Sequence, residues 1–456
     1  MPSYFFKSAL LGRDWAENVR LHVKGGRISM IETGASPELA ETVYGPVLPA
    51  MANVHSHAFQ RMVAGLTEYY TMGTSDFWTW RTLMYQAARL MTPAALKDIA
   101  AGLYLEMLKA GYGSVAEFHY LHHSHLDHAA EMSDAIFAAA AETGISLLHM
   151  PVLYEASDFG GAAPTDGQRP FLHSATEFAG FLHHVAGKQT AQAKVGLAFH
   201  SLRAVKPDSF EPTIAVMDAL SPGAPVHIHV AEQLREVEAS LKYSGKRPVE
   251  WMLDHLPIDA RWCLIHATHV TEAEWKGMID RGAIAGLCPT TEANLGDGLF
   301  PAFDYLNAGG RFAIGSDSHV SVDPREELRL LEYGQRLFRR ERTVLAPRTG
   351  GHTGERLWAR AAAGGAAALG IDGGEIEVGK RADLIVLDGD APALAGPRYG
   401  QVADAFVFRG APIGITHVMR AGDWLISEGR HKREDEIMGR FRATLERLAA
   451  LLELED

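Results

Sequence analysis

The run Leu48-Pro49-Ala50-Met51-Ala52-Asn53-Val54-His55-Ser56-His57 decides how this chain of 456 residues is read. An apolar stretch from Pro46 to Met51 leads into two histidines separated by one residue. Side chains on a strand alternate between faces, so His55 and His57 project to the same side. At the end of a strand such a pair can clamp one metal ion. Alone, the pattern is weak, because two ordinary histidines at a strand end look the same. Its weight comes from three later positions in the chain. His229 lies in Val226-His227-Ile228-His229-Val230-Ala231-Glu232, His266 in Cys263-Leu264-Ile265-His266-Ala267, and Asp317 in Phe312-Ala313-Ile314-Gly315-Ser316-Asp317-Ser318-His319. Each ends an apolar run that reads as a buried strand. Three neutral nitrogens from His55, His57 and His229, one carboxylate from Asp317, and a position left for water describe a hydrolytic rather than a structural metal site.

Working outward, strand-like runs that end in polar residues occur at 48–53, 114–118, 146–152, 195–199, 225–229, 263–266, 283–287 and 312–315. Helical patterning separates them, as at 94–110, where Leu96, Ile99, Leu103, Met107 and Ala110 mark one apolar face. Eight such units predict an α/β fold, a (β/α)8 TIM-type barrel whose functional residues sit at the C-terminal ends of the strands. The flanks have a different texture. Residues 5–47 hold short apolar runs around Gly25-Gly26, which reads as a tight turn. Residues 373–429 repeat it at 374–378, 382–387, 405–408, 416–420 and 425–429. Neither flank buries enough apolar area alone, so the two are expected to pair into one small β domain. The expected divisions are 1–47 and 371–430 for that domain, 48–370 for the barrel, and 431–456 for a surface or dimer-contact helix carrying Phe441, Leu445, Leu448 and Leu451.

Composition narrows the function. Apolar residues make up 47% and charged residues 22%, as in an ordinary globular enzyme. The formal charge of −13 argues against nucleic acid as a partner. Cys263 and Cys288 sit in strand-like apolar runs and read as small buried hydrophobes, which fits a reducing cytoplasm. The first residues lack the pattern of a secretory signal, and no uncharged apolar stretch is long enough to span a membrane. His119, His122, His123, His125 and His128 are irregularly spaced; all but His119 read as surface residues rather than ligands. The glycine-rich stretch 159–164 lacks a phosphate-loop pattern.

At these residues the chain resembles the amidohydrolase superfamily over nearly its whole length. The resemblance includes the closing segment Gly374-x-Ile-x-Val-Gly379-Lys380-x-Ala-Asp383-Leu384-Ile385-Val386-Leu387-Asp388. The order His-x-His, His-x-x-Glu, His, Asp is similar to the single-metal deaminase branch. Two-metal members carry a bridging lysine or acid at the end of strand four, where this chain has Phe199-His200-Ser201-Leu202-Arg203. The resemblance therefore implies one divalent ion, with zinc preferred and iron or manganese left open by the spacing. A narrower likeness rests on Asn53-Val54-His55-Ser56-His57-Ala58-Phe59-Gln60-Arg61, Asp76-Phe77-Trp78-Thr79-Trp80-Arg81, Glu117-Phe118-His119-Tyr120 and His200-Ser201-Leu202-Arg203. These are similar to the N-formimino-L-glutamate deiminases, with Val54 where leucine is usual.

That resemblance implies hydrolysis of N-formimino-L-glutamate to N-formyl-L-glutamate and ammonia, in histidine degradation. Ammonia leaves only when protonated, and Glu232, just past His229, is placed to carry protons; the superfamily gives it the same role. His266 and Asp317 would position and deprotonate the water, although His266 also reads as a partner that orients a ligand. A dicarboxylate substrate needs paired cationic donors. By resemblance Gln60, Arg81, Tyr120, His200 and Arg203 make that pocket, and the protein forms a homodimer. Phe77, Trp78 and Trp80 read equally as a lid or as core. Two rival functions use the same scaffold: a guanine-like aminohydrolase, which would want stacking aromatics and amide readers, and a non-catalytic binding protein, which would show a broken ligand set.

Overall fold

The computed structural model describes residues 2–12, 14–38, 40–68, 77–123, 129–410 and 413–452. Eight parallel strands form a closed ring: β1 (Met51–Ser56), β2 (Tyr112–His119), β3 (Ser146–Leu153), β4 (Leu197–Ser201), β5 (Val226–Val230), β6 (Trp262–His266), β7 (Ile284–Leu287) and β8 (Arg311–Ile314). Neighbours in sequence pair, and β8 returns to β1 through Ile314 and Asn53. A short segment, Ala193–Val195, extends the β3 edge just before β4. The strands are buried on both faces, because side chains fill the barrel and helices cover its outside. That is why they read as near-continuous apolar runs.

The helices follow from local chemistry. α1 (Pro93–Ala110) begins where the Thr92 side chain accepts the Ala95 N–H at 3.2 Å, with proline at its first position. It ends at Gly111, whose φ of 104° suits glycine. Of the expected face, Leu96, Ile99, Leu103 and Met107 are buried and Ala110 is half-buried. α2 (Thr353–Ala368) lies so close to β8 and β1 that Gly364 and Gly365 touch the backbone of Phe312 and Ala52. α3 (Glu434–Leu452) lays Phe441 over Gly102 of α1. The predicted tail stripe is thus spent on the chain's own barrel: Phe441 and Leu448 are buried and Leu451 is exposed.

Both ends of the chain meet in a second sheet. Pro46–Pro49 runs parallel to Ser3–Leu11 and antiparallel to Leu384–Leu387. Asp14–Lys24 and Arg27–Glu32 continue one side, and Ile415–Arg420 and Asp423–Ser427 the other. Gly25 and Gly26 make the expected turn with φ of 59° and 77°. Phe6, Val19, Leu21, Val47, Leu384, Val386 and Met419 form a separate core for this sheet.

Three sequence expectations need correction. The run 48–53 is two strands, broken at Ala50, whose N–H donates to Asp383 O at 3.0 Å and so redirects the chain from terminal sheet to barrel. Residues 405–408 belong to the helix Gly400–Phe408, because Val402, Ala405 and Phe406 pack on α2 with the Phe406 ring 5.2 Å from Trp358. Residues 374–378 form no strand.

Because a Cβ on Gly364 would fall on the Phe312 carbonyl, Gly364→Ala should destabilise the fold by about 1–3 kcal/mol. Urea unfolding should show a lower midpoint with an unchanged slope; an unchanged midpoint would mean that α2 can retreat from β8 without penalty.

Candidate active site

The C-terminal ends of β1, β5, β6 and β8 bring His55, His57, His229, His266 and Asp317 into one cluster. His55 Nε2 lies 2.8 Å from His229 Nε2. Asp317 Oδ1 lies 3.2 Å from His57 Nε2 and 3.5 Å from His55 Nε2. The tautomers can be read from the other ring nitrogens. His57 Nδ1 donates to Phe118 O and His229 Nδ1 donates to His200 O, each at 2.9 Å. Their Nε2 lone pairs therefore face the centre. Burial, and then His57 nearby, lower the His55 pKa to about 3, and burial holds His229 well below the ordinary histidine range. Neutral imidazoles and one carboxylate, facing each other with lone pairs, suit a divalent cation such as zinc.

Next to this group lie the acids. His266 Nε2 is 3.6 Å from Asp317 Oδ2 and 3.8 Å from Glu232 Oε1, while Nδ1 faces Glu292 Oε1 at 3.2 Å. Burial alone would lower His266, but Glu232, Glu292 and Asp317 outweigh it and raise its pKa. Burial pushes the Glu232 carboxyl up; His266 opposes this, and Asp317 and Glu236 reinforce it. Ala231, His266, Ala267, Asp317 and His319 all have positive φ, between 47° and 66°. Backbone strain of this kind at strand ends is characteristic of functional sites.

One cavity is walled by His57, His229, Glu232, His266 and Asp317 and also by Gln60, Arg81, Tyr120, His200 and Arg203. Of the predicted residues only His55 lies behind the wall. Gln60 Nε2 donates to Tyr120 OH at 2.6 Å, and the His200 ring sits 4.3 Å from that of Tyr154. Burial lowers the pKa of Arg81; Tyr85 opposes this and Arg203 reinforces it. Trp80 lines the cavity; the side chains of Phe77 and Trp78 lie outside the described residues.

Sequence reading missed several participants. Asn53 Oδ1 accepts the His55 and Ser316 N–H groups, Glu292 accepts from Cys288 N–H at 2.8 Å, and Glu117 accepts from Ser56 Oγ and Ala58 N–H, each at 2.6 Å. Tyr85, Tyr154 and Phe171 supply an aromatic wall. Asn53 and Glu117 lie inside runs that carry the family likeness, and Glu292 carried a signal as an acid in the first turn after a strand. The histidine cluster also needs correction: His122 is buried, its Nε2 donating to Val152 O at 2.8 Å, and His123 is half-buried. His125 and His128 lie outside the described residues. Packing of His122 among Phe178, Phe181 and His173, rather than surface exposure, accounts for it.

Comparison with known proteins agrees with this geometry. Residues 47–425 match the amidohydrolase family, and residues 3–43 match the N-terminal domain of formimidoylglutamate deiminase HutF. The chain is 46% identical over 442 residues to formimidoylglutamate deiminase from Pseudomonas aeruginosa, covering 95% of this chain and 97% of that protein. It superposes on the crystal structure of an amidohydrolase from Brucella melitensis with a TM-score of 0.90 at 44% identity, covering 98% of this chain and 100% of that one. An adenosine deaminase from Xanthomonas campestris with bound zinc shares the fold at 22% identity, with a TM-score of 0.81 and 98% of each chain covered. The chain belongs to the amidohydrolase family and, within it, to the formimidoylglutamate deiminases.

Proposed function

We propose that this protein hydrolyses N-formimino-L-glutamate to N-formyl-L-glutamate and ammonia, a step of histidine degradation, with one zinc ion as cofactor. The observation that carries this reading is a cavity whose lining divides between the cations Arg81 and Arg203 and the groups Glu232, His266 and Asp317. A substrate with two carboxylates and an amidine-like formimino group fits that division of charge.

His55, His57, His229 and Asp317 would hold the ion. Bound there, it supplies Lewis acidity, making water acidic enough to attack near neutral pH. The chain's own residues do the rest. His266, fixed by Glu292 at Nδ1, points Nε2 toward Asp317 and Glu232, and His266 and Asp317 position the attacking water and take up the proton it gives away. Glu232, whose carboxyl is raised by burial, carries a proton to the departing nitrogen, which otherwise leaves poorly. Arg81 and Arg203, with Gln60, Tyr120 and His200, bind the carboxylates and set the formimino carbon opposite these groups. The aromatic wall supports a rival reading, a guanine-like aminohydrolase, but that ligand would leave two arginines facing an uncharged ring.

Two further traits belong to the same reading. Cys263 and Cys288 are buried free thiols, which suits the reducing cytoplasm. Leu337 and Phe338, 80% and 72% exposed on the helix Pro324–Arg339, support a homodimer contact. The charge of −13 and a cavity that combines an aromatic wall with Arg81, Arg203 and carboxylates favour a small-molecule partner over nucleic acid.

Zinc-loaded enzyme should release ammonia from N-formimino-L-glutamate and form N-formylglutamate by mass, and chelator-stripped enzyme should not. No release from loaded enzyme would discard this substrate, and equal release after stripping would discard the metal. Glu232→Gln should retain the metal yet lower kcat by roughly 10²–10⁴-fold; unchanged turnover would remove Glu232 from proton transfer. Arg203→Ala should raise KM by roughly 30-fold or more, the loss of about 2 kcal/mol or more of charge pairing. An unaltered KM would mean that Arg203 does not hold a carboxylate.

A further inference from the structure

We infer that a second divalent cation binds between Glu232, His266 and Asp297, and that its binding stops the reaction. Asp297 lies in Gly296-Asp297-Gly298, the turn between the helices Pro289–Leu295 and Ala302–Asn307. It is 6% exposed. Gln233 Nε2 donates to its Oδ1, and its buried Oδ2 has no hydrogen-bond partner among the described residues. A buried carboxylate oxygen without a donor is costly, and a cation answers that deficit.

The geometry suits one ion. Ligand atoms from Glu232, His266 and Asp297 all lie within 4.8 Å of one another. Small side-chain rotations bring such a set to the bond lengths of about 2.0–2.2 Å that zinc requires. His266 Nδ1 is engaged by Glu292 Oε1, so Nε2 is the free ligand, and a carboxylate behind a ligating imidazole is the usual support for such a bond. One imidazole with two carboxylates favours zinc or manganese over magnesium. Carboxylates gather here: Glu232, Glu236, Glu292, Asp297 and Asp317 surround His266, while Arg81, Arg203 and Arg235 lie beyond Glu232 and Glu236. This set shares no residue with His55, His57, His229 and Asp317, so both sites can fill together.

Glu232 and His266 line the substrate cavity, so the ion enters by the substrate's route. Once bound, it occupies the Glu232 oxygen and the His266 Nε2 through which protons move. Inhibition thus rests on the roles proposed for Glu232 and His266, whereas binding does not. Activity should rise with the first equivalent of metal and fall with the second.

The test is a zinc titration of metal-stripped enzyme, with bound metal counted and ammonia release measured in the same samples. Wild type should bind one tight equivalent that restores activity and a weaker one that abolishes it. Asp297→Asn should bind a single equivalent and stay active, with the inhibitory zinc concentration raised roughly tenfold or more. Glu232→Ala should likewise bind only one equivalent, which decides the matter where Asp297→Asn does not fold. No second equivalent in wild type, or a second equivalent of wild-type affinity in both variants, overturns the site. A second equivalent that both variants lose, in a wild type still fully active, establishes the site and removes Glu232 from catalysis instead.

Discussion

The side chain of Asn53 joins the first strand of the barrel to the last. Its Oδ1 accepts the N–H groups of His55 at 3.2 Å and Ser316 at 3.1 Å, and its Nδ2 donates to Ser316 Oγ at 2.6 Å. The strand pairing here is thin, one pair between Ile314 and Asn53 and an isolated bridge between Ser56 and Asp317, and this amide adds to the closure. Beyond it Asp317 N–H donates to His55 O at 2.9 Å and His57 N–H donates to Asp317 O at 3.3 Å. Gly315 permits the approach, since a Cβ there would sit 2.7 Å from the His55 Cβ. Three of the four candidate ligands are therefore spaced by backbone contacts across one seam. Loss of a buried partner in such a network costs about 1–3 kcal/mol per orphaned group. It would also move the ligands relative to one another.

The strained strand ends are held by carboxylates that fold back from the following helices. Glu236, in the helix Leu234–Ser244, accepts the Ala231 and Glu232 N–H groups at 3.0 and 3.2 Å. Glu292, in Pro289–Leu295, takes the Cys288 N–H and the His266 Nδ1. On the other side Glu117 gathers Ser56 Oγ, Ala58 N–H and Tyr104 OH. Burial nevertheless raises Glu117 to a pKa of about 7. Buried acids thus serve as scaffolding beneath the candidate site, and the positive φ values at Ala231 and His266 persist because these contacts hold the backbone.

Period-two spacing made His55 and His57 legible, and the polar ends of apolar runs made His229, His266 and Asp317 legible, because a parallel barrel puts function where each strand stops. The supporting residues were not legible for the opposite reason. Asn53 meets Ser316 and Glu117 meets Ser56 across sequence separations of 263 and 61 residues, and nothing local encodes either pairing. Errors of element type also had local causes. The apolar run through Pro49-Ala50 hides a change of sheet that only the bond to Asp383 reveals. Phe406 and Phe408 suggest a strand until the contact with Trp358 fixes a helix. His122 looked polar and exposed because an aromatic cage from Phe178 and Phe181 assembles only in three dimensions.

The cavity gathers charges of both signs, Arg81 and Arg203 with Glu232, Glu236 and Asp317, and this bears on both the substrate and the proposed second cation. An amidine is protonated at neutral pH, so formiminoglutamate carries a cationic end and two anionic ones. On the proposed reading Glu232 and Asp317 would attract the former, and Arg81 and Arg203 the latter. On that reading, reversing the substrate would set like charges against each other, which favours one orientation before any specific contact forms. A pocket arranged to hold a cationic carbon–nitrogen group beside carboxylates is also arranged to hold a metal ion there. The substrate's amidinium and a second zinc would compete for the same acids. Inhibition by zinc is, on this view, a direct consequence of how the site orients its substrate.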